Sequence, residues 1–230
     1  MQTSAEMPMK VIAHIETDFK EKFGIPRQSG LAGETKGRIV FEKEYRVNEA
    51  LRGLEGFSHI WILWQFSKAV REDWSPTVRP PVLGGNKRVG VFATRSPYRP
   101  NPIGLSCVRL EKIEYTKEEG PVIYVRGADI LDNTPIFDIK PYLPYSDCYP
   151  DACGGFAASP DKRRVEVRIS DKKFYELSEE KQREITEILS HDPRPSYIEE
   201  ERIYGMKYGG YEIKFSASGD ELTVISIEEV

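Results

Sequence analysis

The sequence predicts a mainly β chain, in which a β-rich first domain is followed by a small α+β unit. Up to about residue 150, short runs of alternating apolar and polar residues are separated by Gly, Pro and Asn, which is typical of a barrel or sandwich. Residues 151–161 are small and flexible, as in a linker. Beyond them, a segment with helical periodicity lies among strand-like segments. We therefore expect domains at residues 1–158 and 159–230.

Six strands and one short helix are predicted in the first domain. Apolar residues at alternate positions, with many β-branched and aromatic side chains, predict the strands. They span residues 11–17, 37–41, 58–66, 88–93, 105–115 and 122–127. Residues 47–54 are predicted as a short helix. The polar, glycine-ended segment 116–121 predicts a hairpin between the last two strands.

In the second domain, residues 164–169 predict a strand and residues 178–190 a helix. Ser178 is the expected N-cap, and Glu179 and Glu180 favour the positive end of the helix. One apolar face is formed by Leu177, Ile185, Ile188 and Leu189. Residues 211–216 and 221–227 predict a hairpin that turns through Ser218, Gly219 and Asp220.

The composition is that of a folded, water-soluble protein. The 230 residues are 39% apolar and 30% charged. The best apolar run, residues 60–64, ends at Gln65, far short of the roughly 20 residues that span a bilayer. Residues 1–10 lack the features of a secretion signal. We expect no membrane association and a cytoplasmic location.

Three cysteines and three histidines are scattered along the chain. An odd number of cysteines leaves a free thiol under any pairing, which fits a reducing compartment. The histidines have no HxxxH or CxxC partner, so we expect no metal site.

The charge is segregated along the chain. The net charge is −4, yet residues 79–110 contain no acidic residue. Their six basic residues are Arg79, Lys87, Arg88, Arg95, Arg99 and Arg109. These cations would suit the phosphates of a nucleic acid if they share one face of the fold.

Residues 90–104 form the most unusual segment. Three prolines lie within residues 97–102, and proline fits neither a helix interior nor a central strand. The resulting stiff loop would hold Arg95, Tyr98, Arg99 and Asn101 at little further entropic cost, as a ligand site requires. The alternative is a rigid surface loop with solvated arginines.

A second unusual segment is residues 129–142. Asp129 and Asp132 precede a turn and Asp138 follows it. These carboxylates could contact hydroxyls, an amine or a sulfonium, or they could simply form turns through their own backbone. Loops 23–30 and 191–197 give weaker signals, each with an arginine among prolines or glycines.

Common enzyme signatures are absent from the sequence. It has no strand followed by GxGxxG, no GxxxxGK[ST] and no GxSxG. Rossmann enzymes, kinases and common hydrolases are therefore disfavoured.

The sequence resembles the bacterial tRNA N6-threonylcarbamoyladenosine methyltransferases, the TsaA-like β-barrel family. The likeness lies in six ordered segments, residues 23–28, 53–66, 76–85, 93–104 (ATRSPYRPNPIG), 129–142 and 192–197. It implies a single-sheeted TsaA-like β-barrel that binds S-adenosylmethionine, usually as a homodimer. The implied reaction is N6-methylation of threonylcarbamoyladenosine at position 37 of threonine tRNA.

The resemblance also implies roles for individual residues. The implied cofactor-binding positions are Pro26, Arg27, Gln28, Phe66, Ser67, Arg95, Leu105, Asp129, Ile130, Leu131 and Asp132. The implied tRNA contacts are Asp192, Arg194 and Tyr197 in the C-terminal domain, and Tyr98, Arg99 and Asn101 are further candidates in the stiff loop.

Two positions depart from the family pattern. Many relatives have Phe-His where this chain has Phe66 and Ser67, so a histidine side chain has no counterpart here. Relatives commonly have Asp-Gly-Thr-Pro where this chain has Asn133 in place of the glycine. Because Asn tolerates a left-handed backbone, we expect the turn to persist.

Methylation of an N6 that bears a carbonyl requires loss of its proton, which suggests a general base. We hypothesise Asp138 first and Asp132 second, and we expect Tyr98 to stack on an unpaired base. Two alternatives remain: a non-catalytic, S-adenosylmethionine-responsive RNA-binding or signalling barrel, and a protein-interaction module.

Overall fold

The computed structural model of the chain describes residues 7–70, 73–157, 164–194 and 202–230. The first-domain elements are β1 (Ala13–Thr17), β2 (Lys36–Phe41), β3 (His59–Gln65), β4 (Thr77–Val78), β5 (Val89–Gly90), β6 (Ile103–Thr116), β7 (Gly120–Arg126), β8 (Thr134–Pro141) and α1 (Pro144–Asp147). The C-terminal elements are β9 (Glu166–Ile169), α2 (Glu179–Ser190), β10 (Ile203–Tyr208), β11 (Tyr211–Ser218) and β12 (Glu221–Glu229). None of the described helices is long and apolar enough to cross a membrane.

Six antiparallel strands close into a barrel in the order β1-β2-β7-β6-β3-β8. Alternate residues of each strand point inward, so the apolar half of every strand fills the interior. The fully buried isoleucines of this core are Ile15, Ile39, Ile60, Ile62, Ile123, Ile130 and Ile136. The predicted β-barrel is confirmed.

Strand β6 extends beyond its neighbour β7. The two strands pair from Thr116 opposite Gly120 to Arg109 opposite Arg126. Residues 103–108 pair with β3 only, so their other edge faces the loops that follow β7 and precede β2. This edge positions the candidate site described below.

The C-terminal domain is a four-stranded sheet in the order β10-β11-β12-β9, with β9 parallel to β12. Helix α2 buries Ile185, Ile188 and Leu189 in the core of this domain. The Ser178 hydroxyl accepts a hydrogen bond from the Lys181 N–H at 3.2 Å, which confirms the predicted N-cap. The small α+β unit is therefore confirmed.

The connection between β1 and β2, residues 18–35, belongs to the barrel in sequence but packs in the C-terminal core. Phe19 and Ala32 are buried there, and Phe23 and Ile25 pack against the same cluster. A Cβ at Gly24 would lie 2.2 Å from the sulfur of Met206. The C-terminal core is thus shared by side chains from both domains, whereas the barrel interior forms a separate core.

An ionic cluster fastens the same loop to α2. The Lys181 ammonium lies 2.6 Å from carboxylate oxygens of both Asp18 and Glu184. The Tyr208 hydroxyl donates to Glu184 at 3.2 Å, and Glu184 is almost fully buried. Burial and these carboxylates raise the pKa of Tyr208 well above its usual range. A buried carboxylate of this kind is tolerated because it is paired and hydrogen-bonded.

Two predicted elements differ in the structure. Within residues 88–93, only Val89 and Gly90 form a strand, and residues 91–93 turn into a 3₁₀ helix. Only two residues of β4 pair with β5, so there is no sheet face against which a longer β5 could pack. Phe92 is accordingly exposed. Residues 47–54 contain one 3₁₀ turn, Asn48–Leu51, which ends before Gly53 with its positive φ of 89°.

Three of the described strands were not predicted: β8, β10 and the two-residue β4. Prolines at positions 135 and 141 argue against a strand, yet in β8 Pro135 pairs with β1 only and Pro141 with β3 only. A strand position with a single neighbour tolerates the missing N–H on its other side. Residues 203–208 alternate between exposed and buried, with tyrosines rather than aliphatic residues on the inner face.

The predicted boundary at residues 158 and 159 lies outside the described residues and stays a prediction. The hairpins predicted at residues 116–121 and 218–220 are both confirmed, by the pairs Thr116 with Gly120 and Ser218 with Glu221.

Candidate functional site

The candidate site is built around Asp129, which follows β7. The Ser106 hydroxyl donates to Asp129 Oδ1 at 2.6 Å, and the Trp64 indole N–H donates to Ser106 Oγ at 2.9 Å. Ser106 is 1% exposed and Trp64 is 6% exposed. Buried polar groups linked in this way hold one another in a single orientation.

The local sequence makes room for this chain of hydrogen bonds. Gly104 lies directly opposite Trp64 in the β3–β6 ladder, and a Cβ there would approach the indole ring to 2.2 Å. The ring of Phe66 packs edge-on against Trp64, with 4.3 Å between centroids. Glycine at 104 is therefore required for Trp64 to lie over β6.

The surroundings of Asp129 have opposing effects on the pKa of its carboxyl group. Burial raises the pKa of the Asp129 carboxyl, whereas hydrogen bonds from Ser106 and from the Ser29 backbone lower it, as does the charge of Arg95. Burial is the largest of these effects, so the pKa lies above its ordinary value. A desolvated carboxylate next to donors is the kind of group that binds a cation, amine or hydroxyl.

The loop before β2 closes over this carboxylate. The Gly30 N–H donates to the Gly127 carbonyl at 2.9 Å, and the Ser29 hydroxyl accepts from the Cys107 N–H at 3.1 Å. A Cβ at Gly127 would lie 3.2 Å from the Gly30 backbone, and Gly127 has a positive φ of 78°. The loop thus uses the edge of β6 that β7 leaves unpaired.

The stiff loop also contacts the residues around Asp129. An Arg95 guanidinium nitrogen donates to the Gln28 side-chain oxygen. Three of the segments singled out in the sequence, around Gln28, Arg95 and Asp129, therefore come together. The cluster they form with Ser29 and Ser106 is called the Asp129 cluster below.

The residues that follow Asp129 contribute mainly backbone. Ile130 is fully buried and its carbonyl accepts from the Thr17 hydroxyl at 3.0 Å. The Leu131 carbonyl accepts from the Thr134 hydroxyl at 2.7 Å. Asp132 Oδ1 accepts from the Thr17 N–H at 2.9 Å, and its Oδ2 lies 2.7 Å from the Lys20 ammonium.

Asp138 lies elsewhere, on the outer face of the barrel. It pairs with Leu63 on β3, which in turn pairs with Leu105 on β6. Asp138 and Leu105 are thus two strand spacings apart, roughly 10 Å, on the same face. The Asp138 carboxylate lies 2.9 Å from the Lys140 ammonium.

The end of β3 and the stiff loop are joined through backbone. The Phe66 N–H donates to the Pro102 carbonyl at 2.8 Å, and the Ser67 N–H donates to Gln65 at 2.7 Å. Within the loop, Arg99 donates to the Thr94 carbonyl at 3.1 Å. Asn101 is exposed.

The C-terminal candidates are held by one another. The Arg194 guanidinium donates to both oxygens of Asp192, at 2.7 and 2.8 Å, and to the Gly219 carbonyl at 2.9 Å. Arg194 is 9% exposed, and its carbonyl accepts from Arg27 at 3.1 Å. These contacts give the pair a structural role next to the Arg27 loop. Contact of Asp192 and Arg194 with tRNA stays a prediction, and Tyr197 lies outside the described residues.

Three residues of the site were missed from the sequence: Trp64, Ser106 and Ser29. Ser106 had a usable signal, because the period of β6 places it inward between Gly104 and Val108. A buried hydroxyl in an apolar row requires a polar partner. The described residues contain no group of three or more His, Cys, Asp or Glu that could hold a metal ion.

Comparison with known proteins identifies the family. The family model for the tRNA-methyltransferase O N-terminal domain matches residues 14–148. The model for the C-terminal domain of the same proteins matches residues 162–230.

The chain belongs to the tRNA-methyltransferase O family.

Relatives in this family match nearly the whole chain. A protein of Escherichia coli (strain K12), named tRNA (adenine(37)-N6)-methyltransferase, is 38% identical over 94% of this chain and 96% of its own length. A Pseudomonas aeruginosa protein, named a putative S-adenosylmethionine-dependent methyltransferase, is 42% identical over 85% of this chain and 86% of its own. A crystal structure of TrmO from P. aeruginosa superposes with a TM-score of 0.81 at 33% identity, covering 100% of both chains.

Proposed function

We propose that this protein transfers a methyl group from S-adenosylmethionine to N6 of adenosine 37 in tRNA. We propose further that this adenosine carries a threonylcarbamoyl group and belongs to threonine tRNA. The family and its named relatives support the reaction on adenine 37. The observation that supports it in this chain is the meeting of three loops around the partly buried, desolvated carboxylate of Asp129.

The residues present fit S-adenosylmethionine. Its sulfonium and amino groups are cationic and its ribose carries hydroxyls, all suited to a desolvated carboxylate such as Asp129. Its carboxylate suits an arginine such as Arg95, and its adenine suits backbone and apolar groups. We propose that the remaining contacts come from Pro26, Arg27, Gln28, Phe66, Ser67, Leu105, Ile130, Leu131 and Asp132. Ile130 and Leu131 would act through backbone, since Ile130 is buried in the core.

Bound S-adenosylmethionine supplies a methyl group on a positively charged sulfur. The contribution of this chain is to position the acceptor, since alignment of two reactants alone can supply roughly 7–11 kcal/mol. The prolines of the stiff loop, the β6 edge and the Ser106–Asp129 hydrogen bond all reduce the freedom of the groups around the site.

Removal of the N6 proton is assigned to a carboxylate, Asp138 first and Asp132 second. Asp138 lies on the barrel face that also presents Leu105, and Asp132 is three residues after Asp129. Both carboxylates already contact a lysine, Lys140 and Lys20 respectively.

The base is tested by single-turnover methyl transfer with Asp138→Asn, Asp132→Asn and the double variant. A general base contributes about 10²- to 10⁴-fold, so the correct variant should lose at least a hundredfold in rate while binding S-adenosylmethionine normally. Undiminished methyl transfer by the double variant would show that neither carboxylate is the general base.

Binding of tRNA is assigned to residues 79–110, called the acid-free stretch below, and within it to Tyr98, Arg99 and Asn101. Asp192, Arg194 and Tyr197 would assist from the C-terminal domain. The protein is further proposed to act as a homodimer in the cytoplasm. Size-exclusion chromatography with light scattering tests the dimer.

The reaction is tested with S-adenosylmethionine carrying a tritiated methyl group. Purified protein is incubated with bulk tRNA from a strain that lacks the gene, and with bulk tRNA that lacks threonylcarbamoyl groups. Label only in the first establishes reaction and substrate. Label in neither, with cofactor binding confirmed by calorimetry, would favour a non-catalytic S-adenosylmethionine-responsive RNA-binding barrel.

A further inference from the structure

A second recess lies beside the stiff loop. It has a volume of about 410 Å³, within the range of about 300–1,000 Å³ that is usual for ligand sites. Its lining includes Ala69, Asp73, Trp74, Tyr98, Arg99 and Pro102. None of these residues except Tyr98 and Arg99 has a role in the function proposed above. We call this recess the Trp74 cleft.

The cleft presents aromatic surface to solvent. Trp74 is 51% exposed and Phe92 beside it is 71% exposed, with their ring centroids 6.1 Å apart. Trp64, by contrast, is 6% exposed. Adjacent exposed aromatic rings form a contiguous apolar patch of the kind that marks interaction sites, and such rings are the usual platforms on which unpaired bases stack.

The charge around the cleft favours a polyanion. Residues 74–110 contain no acidic residue. Arg88 donates to the Thr77 hydroxyl at 2.8 Å and Arg99 donates to a backbone carbonyl, so both use neutral partners. Among the described residues, Arg79, Lys87, Arg88 and Arg99 form no salt bridge to a carboxylate. Their charge is therefore left for an external anion.

A short chain of contacts joins the cleft to the Asp129 cluster. Pro102 lines the cleft, and its carbonyl accepts from the N–H of Phe66, whose ring packs on Trp64. Ala69 also lines the cleft, and its N–H donates to the Phe66 carbonyl at 2.9 Å. Residues 66–69 thus link the cleft to the proposed cofactor site, so an RNA strand whose target adenosine faces the cofactor can place a neighbouring base in the cleft.

We propose that the Trp74 cleft is a nucleobase subsite that takes an unpaired base of the tRNA loop next to the target adenosine. The base stacks on Trp74, which Phe92 supports. Asp73 accepts from the exocyclic amine, which favours adenine, cytosine or guanine over uracil, and Arg99 contacts the adjoining phosphate. This inference rests on the proposed function for the identity of the RNA.

The test uses a fluorescein-labelled RNA stem-loop with the tRNA anticodon-arm sequence, measured by anisotropy, and the KM for tRNA in methyl transfer. Trp74→Leu removes the ring and keeps apolar volume, whereas Trp74→Phe keeps a ring. We expect Trp74→Leu to weaken RNA binding and raise KM about tenfold or more, the size of one lost stacking contact. Trp74→Phe should remain within about threefold of the wild type.

Two controls separate the subsite from general damage. Affinity for S-adenosylmethionine, measured by calorimetry, should be unchanged in both variants. Tyr145→Leu removes an aromatic ring that is 86% exposed on α1, outside the acid-free stretch, and should bind RNA normally. Asp73→Asn should reduce the preference for an amino-bearing base over uracil at the neighbouring RNA position.

The outcomes distinguish this inference from the proposed function. Equal RNA affinity of Trp74→Leu and wild type, or equal losses in Trp74→Leu and Tyr145→Leu, would overturn the subsite. If wild type transfers no methyl group to any tRNA but Trp74→Leu still weakens RNA binding, the subsite stands and the proposed reaction falls.

Discussion

Among the carboxylates singled out in the sequence, desolvation distinguishes Asp129 from the others. Asp132 and Asp138 each contact a lysine at the surface, whereas Asp129 is more strongly desolvated and depends on the Ser106 hydroxyl and on backbone donors. Because burial raises the pKa of Asp129, its ionised form depends on those donors for stability. Ser106 is therefore a positioning residue for this carboxylate.

Replacing Ser106 with Ala tests this dependence. The change removes a donor that favours the carboxylate, so the pKa of Asp129 should rise further and less of it should be ionised at a given pH. We expect the acidic limb of the pH profile of kcat/KM for S-adenosylmethionine to move to higher pH. Loss of the acceptor for Trp64 should also lower the free energy of unfolding by about 1–3 kcal/mol.

The control for this variant is Ser58→Ala, which removes an exposed hydroxyl that contacts His59 and should leave the pH profile in place. A Ser106→Ala enzyme that loses stability but keeps the wild-type profile would reduce Ser106 to a packing role.

At the scale of elements, alternating apolar residues predicted the barrel strands other than β8, whereas β10 was missed although its residues alternate between exposed and buried. The predicted barrel strands are β1, β2, β3, β6 and β7, whose bounds differ from the predicted ones by at most two residues. Alternation failed at residues 88–93, because local alternation does not reveal whether a neighbouring strand exists. It failed again at β8, where the closed barrel tolerates prolines that a local rule excludes.

The loops of the candidate site could be predicted from the sequence, but its strand residues could not. Its loops are visible in sequence because prolines and glycines mark them, and the structure brings Gln28, Arg95 and Asp129 together. Trp64 and Ser106 were missed because they lie within strands, where a side chain's partner depends on register. Register is set by pairing between strands that are some forty residues apart in sequence.

The turn before β8 offers a test at this scale. Asn133 has a φ of 57°, in the left-handed region that favours glycine, so the left-handed turn expected from the sequence is present. Asn133→Ala should lower the free energy of unfolding by about 1 kcal/mol, because a Cβ without a compensating amide is disfavoured in this region. Asn133→Gly should cause no loss. Urea unfolding of the three proteins measures the difference, and an alanine variant as stable as wild type would show that the turn relaxes.

For the whole molecule, segregation of charge predicts the salt dependence of tRNA binding. With a net charge of −4, attraction to tRNA must come from the acid-free stretch rather than from the average. Affinity should fall steeply between 50 and 200 mM salt, roughly tenfold or more for a few phosphate contacts. The double variant Arg79→Gln with Arg88→Gln should show a shallower slope in the same titration. A salt-independent affinity would argue against phosphate contacts by this stretch.

The shared core predicts that barrel and C-terminal domain unfold together. Phe19 is contributed by the loop that follows β1, yet it is fully buried among residues of the C-terminal domain. Phe19→Ala should cost about 3–5 kcal/mol, and this loss should be felt by both domains. All three tryptophans, Trp61, Trp64 and Trp74, lie in the first domain, so their fluorescence reports on the barrel, whereas far-UV circular dichroism reports on the whole chain.

The two signals should give coincident urea transitions in wild type, and both should shift equally in Phe19→Ala. Ile213→Ala, which truncates the same core from the sheet side, should behave in the same way although it lies far from the barrel in sequence. A barrel transition left at the wild-type midpoint while circular dichroism reports an earlier step would show that the domains are independent. Because the loop after Phe19 continues to Arg27 and Gln28, coupling also requires weaker S-adenosylmethionine binding in both variants near their transition midpoints. The C-terminal domain would then support the proposed cofactor site in addition to its proposed contacts with tRNA.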